Sequence, residues 1–157
     1  MNDTAATTST IVPRYVEPGW FTTQIANRMM RRLTRIGVSI RGSRELAVRG
    51  RSTGEWRTTP VNPMTWGDAR FLVAPRGETQ WVRNLRVAGS GELRLGRRVE
   101  TFTAVEVADH DKVDVLREYL RRWKAEVGVF FGGIGADADD ATIRAIAGDH
   151  PVFRINA

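Results

Sequence analysis

The 157-residue chain has no cysteine, two histidines and two lysines. The first absence excludes a disulfide scaffold, a thiol nucleophile and any Cys-based zinc site. His110 and His150 lie forty residues apart, so an imidazole-rich metal centre is not expected either. No run approaches the roughly 18 apolar residues of a membrane span, and the first ten residues, MNDTAATTST, lack the charged and apolar regions of a secretion signal. The expectation is a cytoplasmic protein. With 41% apolar and 27% charged residues, the composition fits one ordinary globular domain rather than a disordered or fibrous chain.

The near-absence of lysine leaves arginine as the bearer of positive charge, with 22 Arg and a net charge of +6. Guanidinium groups bind phosphates and carboxylates through paired hydrogen bonds, so an anionic ligand is indicated. The charge is unevenly spread. Residues 28–98 hold sixteen Arg against five acids, a balance of +11, whereas residues 99–157 hold seven bases against eleven acids, a balance of −4. That pattern suggests a localised anion site more than a nucleic-acid groove.

Residues 1–12 are rich in Thr, Ala and Ser and read as a disordered tail, with a single domain over 13–157. Phe21, Ile25, Met29, Leu33 and Ile36 recur every three or four residues and predict a helix over 20–36, lined elsewhere by Arg28, Arg31, Arg32 and Arg35. Such a helix reads first as packing a core, with contact to an anionic membrane surface at the inner face of the membrane as the alternative. After Gly37 the pattern turns strand-like, with strands expected at 44–49, 58–65 and 69–74 and a hairpin loop at Trp66-Gly67-Asp68. A short helix is expected at 79–88, then strands at 92–95 and 99–107 separated by a turn at Gly96-Arg97. Asp109 or Asp111 is placed to cap a helix whose stripe is Val113, Leu116, Leu120, Trp123 and Val127; a helix near 139–147 and a strand at 152–156 complete the chain. About six short strands with flanking helices, lacking regular βαβ alternation, predict an α+β domain with an antiparallel sheet or small barrel. Gly132-Gly133-Ile134-Gly135 has the wrong spacing for a dinucleotide fingerprint. Asp137, Asp139 and Asp140 lack the turn Gly and distal Glu of a calcium loop and read as a helix N-terminus.

The stretch Gly50-Arg51-Ser52-Thr53-Gly54-Glu55-Trp56-Arg57-Thr58-Thr59-Pro60 concentrates turn-permitting glycines, hydroxyls, exposed amides and two guanidinium groups between strands. It serves as a phosphate site or as a plain solvated loop. Ala74-Pro75-Arg76-Gly77 adds a third cation ahead of a helix N-terminus that favours anions. Trp81 and Asn84 share one helical face, offering an aromatic surface and an amide able to bond a heterocycle's edge, or simply a core Trp and a capping Asn.

Taken together, the order G-R-x-T-G-x-x-R-x-x-P, a strand ending in P-R-G, and Q-W-x-x-N-L resembles the deazaflavin-dependent nitroreductase family of split β-barrel proteins, over about residues 45–107. The resemblance implies a split β-barrel that binds the deazaflavin coenzyme F-420. The reduced cofactor would pass a hydride to a small hydrophobic electrophile: a quinone, an activated enone or a nitroaromatic. By the same resemblance, Arg51, Ser52, Thr53, Gly54, Arg57 and Arg76 hold the polyanionic tail, Pro75 and Gly77 are further cofactor-binding positions, and Gln80 bears on the ring contacts. Thr59, Pro60, Val61, Trp81 and Asn84 border the ring. Two positions depart from the family pattern: Ser52 stands where many members carry Lys, and Gln80 where a thioether is common. Trp20, Phe130 and Phe131 are candidates for substrate contact. No catalytic side chain and no metal is nominated, and a monomer or a homodimer is expected. A cofactor carrier without turnover and a nucleic-acid binder are the competing classes, the latter invited by the pI near 10.9 and five Trp.

Overall fold

The computed structural model describes residues 42–157. The tail at 1–12, the basic helix expected over 20–36 with its membrane contact, and Trp20 lie outside the described residues.

Seven strands form one antiparallel sheet: β1 Arg44–Arg49, β2 Trp56–Val61, β3 Met64–Trp66, β4 Ala69–Val73, β5 Ser90–Leu95, β6 Arg98–Glu106 and β7 Val152–Asn156. Helix α1, Gln80–Ala88, separates β4 from β5; α2, Val113–Val127, and α3, Asp140–Ile146, separate β6 from β7. The sheet order is β2-β1-β5-β6-β7-β4-β3, so β2 and β3 are its two edges although they are neighbours in sequence. A flat seven-stranded sheet would hold its edges roughly 29 Å apart at about 4.8 Å per strand. The two-residue link Asn62-Pro63 limits the Cα separation of Val61 and Met64 to about 11 Å. The sheet must therefore curl into a half-barrel, and this is the split-barrel form of the α+β class.

That link also corrects the expected strand over 58–65. The segment is two strands on opposite edges, broken at Asn62-Pro63, which raises the count from six to seven. Proline has no N–H to give to a ladder, so it is confined to edges and breaks: Pro60 sits on the edge strand β2 and Pro63 in the link. The hairpin turn before β4 is Gly67-Asp68 alone, because Trp66 already pairs with Ala69.

Two apolar cores lie on the two faces of the curled sheet. Leu46, Val48, Leu72, Val82, Leu85, Leu93, Phe102, Phe153 and Ile155 fill the barrel beneath α1. Met64, Phe71, Val73, Leu116, Tyr119, Leu120, Trp123, Ile143 and Val152 pack the outer face beneath α2 and α3. Successive residues of β4 serve opposite cores, Phe71 and Val73 one and Leu72 the other, which explains its continuous apolar run. Where β1, β5 and β6 meet, a Cβ on Gly91 would come within 2.8 Å of the Ala47 carbonyl and 2.9 Å of the Phe102 ring. Only glycine permits that approach.

The stripe Val113, Leu116, Leu120, Trp123, Val127 is buried along α2 as its spacing predicts, with a non-helical backbone at Trp123. Its N-cap is Lys112 rather than Asp109 or Asp111; those two acids sit in a preceding 3-10 turn. The fully buried Lys112 ammonium donates to Asp109 Oδ1 at 2.6 Å and to the Ala147 carbonyl at 3.1 Å. Lysine wins the position because its charge ties that turn to the end of α3. Asp139 does cap α3, its Oδ1 accepting the Thr142 amide at 2.7 Å.

Candidate cofactor site

The gap left by the curl is a cleft of about 770 Å³ between the edge strand β2, the loop before it, the β4–α1 connection and one side of α2. This size lies within the range of cofactor and ligand pockets. Of the residues singled out by sequence, Arg51, Ser52, Thr53, Arg57, Thr59, Pro60, Val61, Pro75, Arg76, Gln80, Trp81 and Asn84 line it. Gly54 and Gly77 do not; they shape its loops. Gly54 sits at φ 70° in the turn between β1 and β2, where its N–H donates to the Gly50 carbonyl at 2.8 Å. Gly77 donates to the Ala74 carbonyl at 3.1 Å, turning the chain from β4 toward α1.

Phe130 and Phe131, expected at the substrate, are not among the lining residues. Phe131 is 2% exposed and stacks on His150 with centroids 4.0 Å apart, and Phe130 packs against the same core. Burial keeps the His150 imidazole below its ordinary pKa, hence neutral. Helix α2 instead sends Tyr119 and Val127 to the cleft, and β4 sends Val73. Of the two, the stripe read from sequence includes Val127 but not Tyr119, and both contribute to the core. Their second role depends on which side of the helix the curled sheet leaves uncovered, for which the sequence carries no signal. Burial of Tyr119 between Trp123 and Phe131 pushes its phenol pKa up, so the ring is neutral.

The charged wall is built from two segments. Among the described residues, three arginines, Arg51, Arg57 and Arg76, line the cleft, and no carboxylate does. The Arg51 amide and its Nη1 donate to Asn84 Oδ1 at 3.3 and 2.9 Å, and Nη1 also donates to Gln80 Oε1 at 2.9 Å. The loop is thereby tied to the first turns of α1. Asn84 is 4% exposed, and its oxygen is turned to Arg51. Arg57 meets Glu55 at 3.3 Å, but both side chains are largely in water, where such a pair contributes little. Helix α1 opens at Thr79 with no side-chain cap, leaving its first amides available to an anion. The Thr79 hydroxyl is buried in the cleft wall with no hydrogen-bond partner. Opposite the charge, Trp81 rests on Phe153 with centroids 5.9 Å apart.

A cationic rim, uncapped helix amides, an unsatisfied hydroxyl and an apolar floor together fit a long ligand with a polyanionic tail and a flat apolar head. Fold and cleft define a split-barrel protein with a cationic cleft of cofactor size. Residues 21–131 match the family of F420H(2)-dependent quinone reductases, and the chain belongs to that family. It is therefore an F420-dependent oxidoreductase, and coenzyme F-420 is its cofactor. No functionally curated protein matches the chain significantly. Among solved structures it is similar to a chain described as a domain-swapped dimer, with a TM-score of 0.54 and 15% identity, covering 86% of this chain and 99% of the other. It is also similar to the F420-H2 dependent reductase FDR-A, with a TM-score of 0.52 and 16% identity over 76% of this chain and all of the other. A protein of unknown function from Agrobacterium tumefaciens, Atu2129, gives 0.52 and 14% identity over 93% of this chain and 59% of that one. These likenesses support the split-barrel fold. No helix among the described residues is long and apolar enough to cross a membrane.

Proposed function

We propose that the protein transfers a hydride from reduced F420 to a small, neutral electrophile: a quinone first, with activated enones and nitroaromatics as further acceptors. The observation that carries this reading is the polarity of the cleft, with exposed Arg51 and Arg57 and half-buried Arg76 lining one part of it and buried Val73, Tyr119 and Val127 another. Arg51, Arg57 and Arg76, with the open amides of Ser52 and Thr53 and the start of α1, hold the phosphate and carboxylates of the tail through charge-assisted hydrogen bonds. Thr59, Pro60 and Val61 on β2 and Trp81 on α1 flank the ring. When bound, the reduced deazaflavin supplies a two-electron hydride equivalent.

The protein's own part is placement and solvent exclusion. An apolar floor selects an uncharged acceptor and keeps water from the reacting face. Tyr119, kept neutral by burial, presents a phenol able to donate a hydrogen bond to an oxygen that gains negative charge.

The test is anaerobic mixing of the protein with reduced F420 and, separately, a water-soluble quinone, a cyclic enone and a nitroaromatic, following recovery of the oxidised deazaflavin's absorbance. Turnover fastest with the quinone is expected. Tight F420 binding without oxidation by any acceptor would instead describe a carrier, and would end the acceptor assignment.

A further inference from the structure

The bonds around Arg51 assign Asn84 a different task from contact with the cofactor ring. Asn84 and Gln80 lie four residues apart on α1, so their side chains share one face. Each turns an amide oxygen toward Arg51 Nη1, both at 2.9 Å, and Asn84 Oδ1 accepts the Arg51 backbone amide as well, at 3.3 Å. Because the donors are all N–H groups, it must be the oxygen of Asn84 that faces them. That oxygen is committed, and the side chain is buried.

The chemistry of the acceptors matters as much as their positions. Arg70, Arg86, Arg94 and Arg117 each rest against a carboxylate. Arg51 is held by two neutral amides, which fix the guanidinium without cancelling its charge. The two hydrogens of Nη1 are used by Gln80 and Asn84. The edge formed by Nε and Nη2, the geometry that grips a phosphate or carboxylate with two parallel bonds, makes no bond to a described residue.

We propose that Asn84, assisted by Gln80, is a positioning residue that acts on the cofactor's anionic tail through Arg51, holding that guanidinium pre-oriented and fully charged at the rim. This rests on the reading of the cleft as the F420 site. A carboxylate in place of either amide would hold the arginine as firmly but neutralise it; the neutral amides keep the loop rigid and the site cationic.

A double-mutant cycle tests the idea. The dissociation constant for F420, from quenching of tryptophan fluorescence, is measured for wild type, Asn84→Ala, Arg51→Gln and the double variant. Each single change is expected to weaken binding roughly tenfold, the scale of a hydrogen bond to a charged group. The double variant should be no weaker than Arg51→Gln, because Asn84 then has nothing to position. Additive losses, roughly a hundredfold together, would mean that Asn84 touches the ligand directly and would overturn the proposal. Should Asn84→Ala not fold, Gln80→Ala, at an exposed site, runs the same cycle and is judged the same way. A second readout needs no cofactor: hydrogen exchange at the Arg51 amide should quicken several-fold, roughly, in Asn84→Ala as the loop is released. An unchanged rate would refute the latch. If wild type bound no F420, the reading of the cleft would fall, and the exchange rate alone would still decide whether Asn84 fixes Arg51.

Discussion

Two sets of arginines in this small molecule are treated in opposite ways. Behind the sheet, Arg117 donates to Asp140 and to the Ala136 and Ala138 carbonyls, while Arg121 and Arg122 clasp Glu118. Arg122 also reaches the Thr65 carbonyl on edge strand β3. These cations are spent on structure, and the two arginines hold the Glu118 carboxyl at about 2, below its ordinary 4.5. At the cleft, Arg51 has amide partners and Arg57 only a solvent-exposed glutamate. The same residue type is a strut in one half and a charge reserve in the other. What separates Arg51 from the arginines behind the sheet is its partners, two neutral amides and, among the described residues, no carboxylate.

Changes in the two halves should accordingly separate stability from cofactor affinity. The largest effect is expected from Phe131→Ala, which empties the space against His150 and Tyr119; thermal and urea unfolding should show a loss of about 3–5 kcal/mol. A loss below 1 kcal/mol, roughly, would mean that Phe131 is not the core residue its burial indicates. Next comes Arg51→Glu with Arg57→Glu, which should weaken F420 binding by roughly two orders of magnitude or more, with little change in melting temperature. Wild-type affinity in that variant would remove the tail from this rim.

A smaller effect is expected of Glu118. Its pKa is depressed on folding, so the stabilisation it brings is complete above the unfolded value of 4.5 and disappears as pH falls toward about 2. Glu118→Gln should cost about 1–2 kcal/mol at neutral pH and flatten the melting temperature across that acid window. An unaltered pH profile would show that the Glu118 pair does not contribute. The smallest change is Thr79→Val, which removes a buried hydroxyl lacking a partner. The cofactor-free protein should be as stable as wild type or slightly more so, while F420 binding weakens by about two- to fivefold. A variant that loses stability and keeps its affinity would place that hydroxyl in the fold rather than in the site.

Much of the scaffold was legible before any coordinates. The short apolar run at 44–49 marked a strand, as did 152–156, the 3-4-3-4 stripe from Val113 to Val127 marked a helix, and Asp139 marked a helix start. These are local signals, because a residue's neighbours along the chain decide which side it buries and which backbone groups need a cap. Most of the residues that line the cleft could also be named, since Gly, Ser, Thr and Arg in a tight loop, followed by a helix start, carry anion chemistry in their side chains and amides. Asn84 marks where such reading ends. Its type suggested an amide for a ring edge; that its oxygen meets Arg51, thirty-three residues away, no local pattern announces.

The sequence by itself determined the building blocks and their chemistry: amphipathic elements and a cationic loop. Tertiary structure alone decided that β2 and β3 would be opposite edges of one sheet, that Tyr119 and Val127 would face the gap between them, and that Phe131 would not. The reason is physical. Periodicity fixes which face of an element must leave water, but what covers that face is settled by closing a curled sheet against its helices, a balance of contacts between residues far apart in the chain.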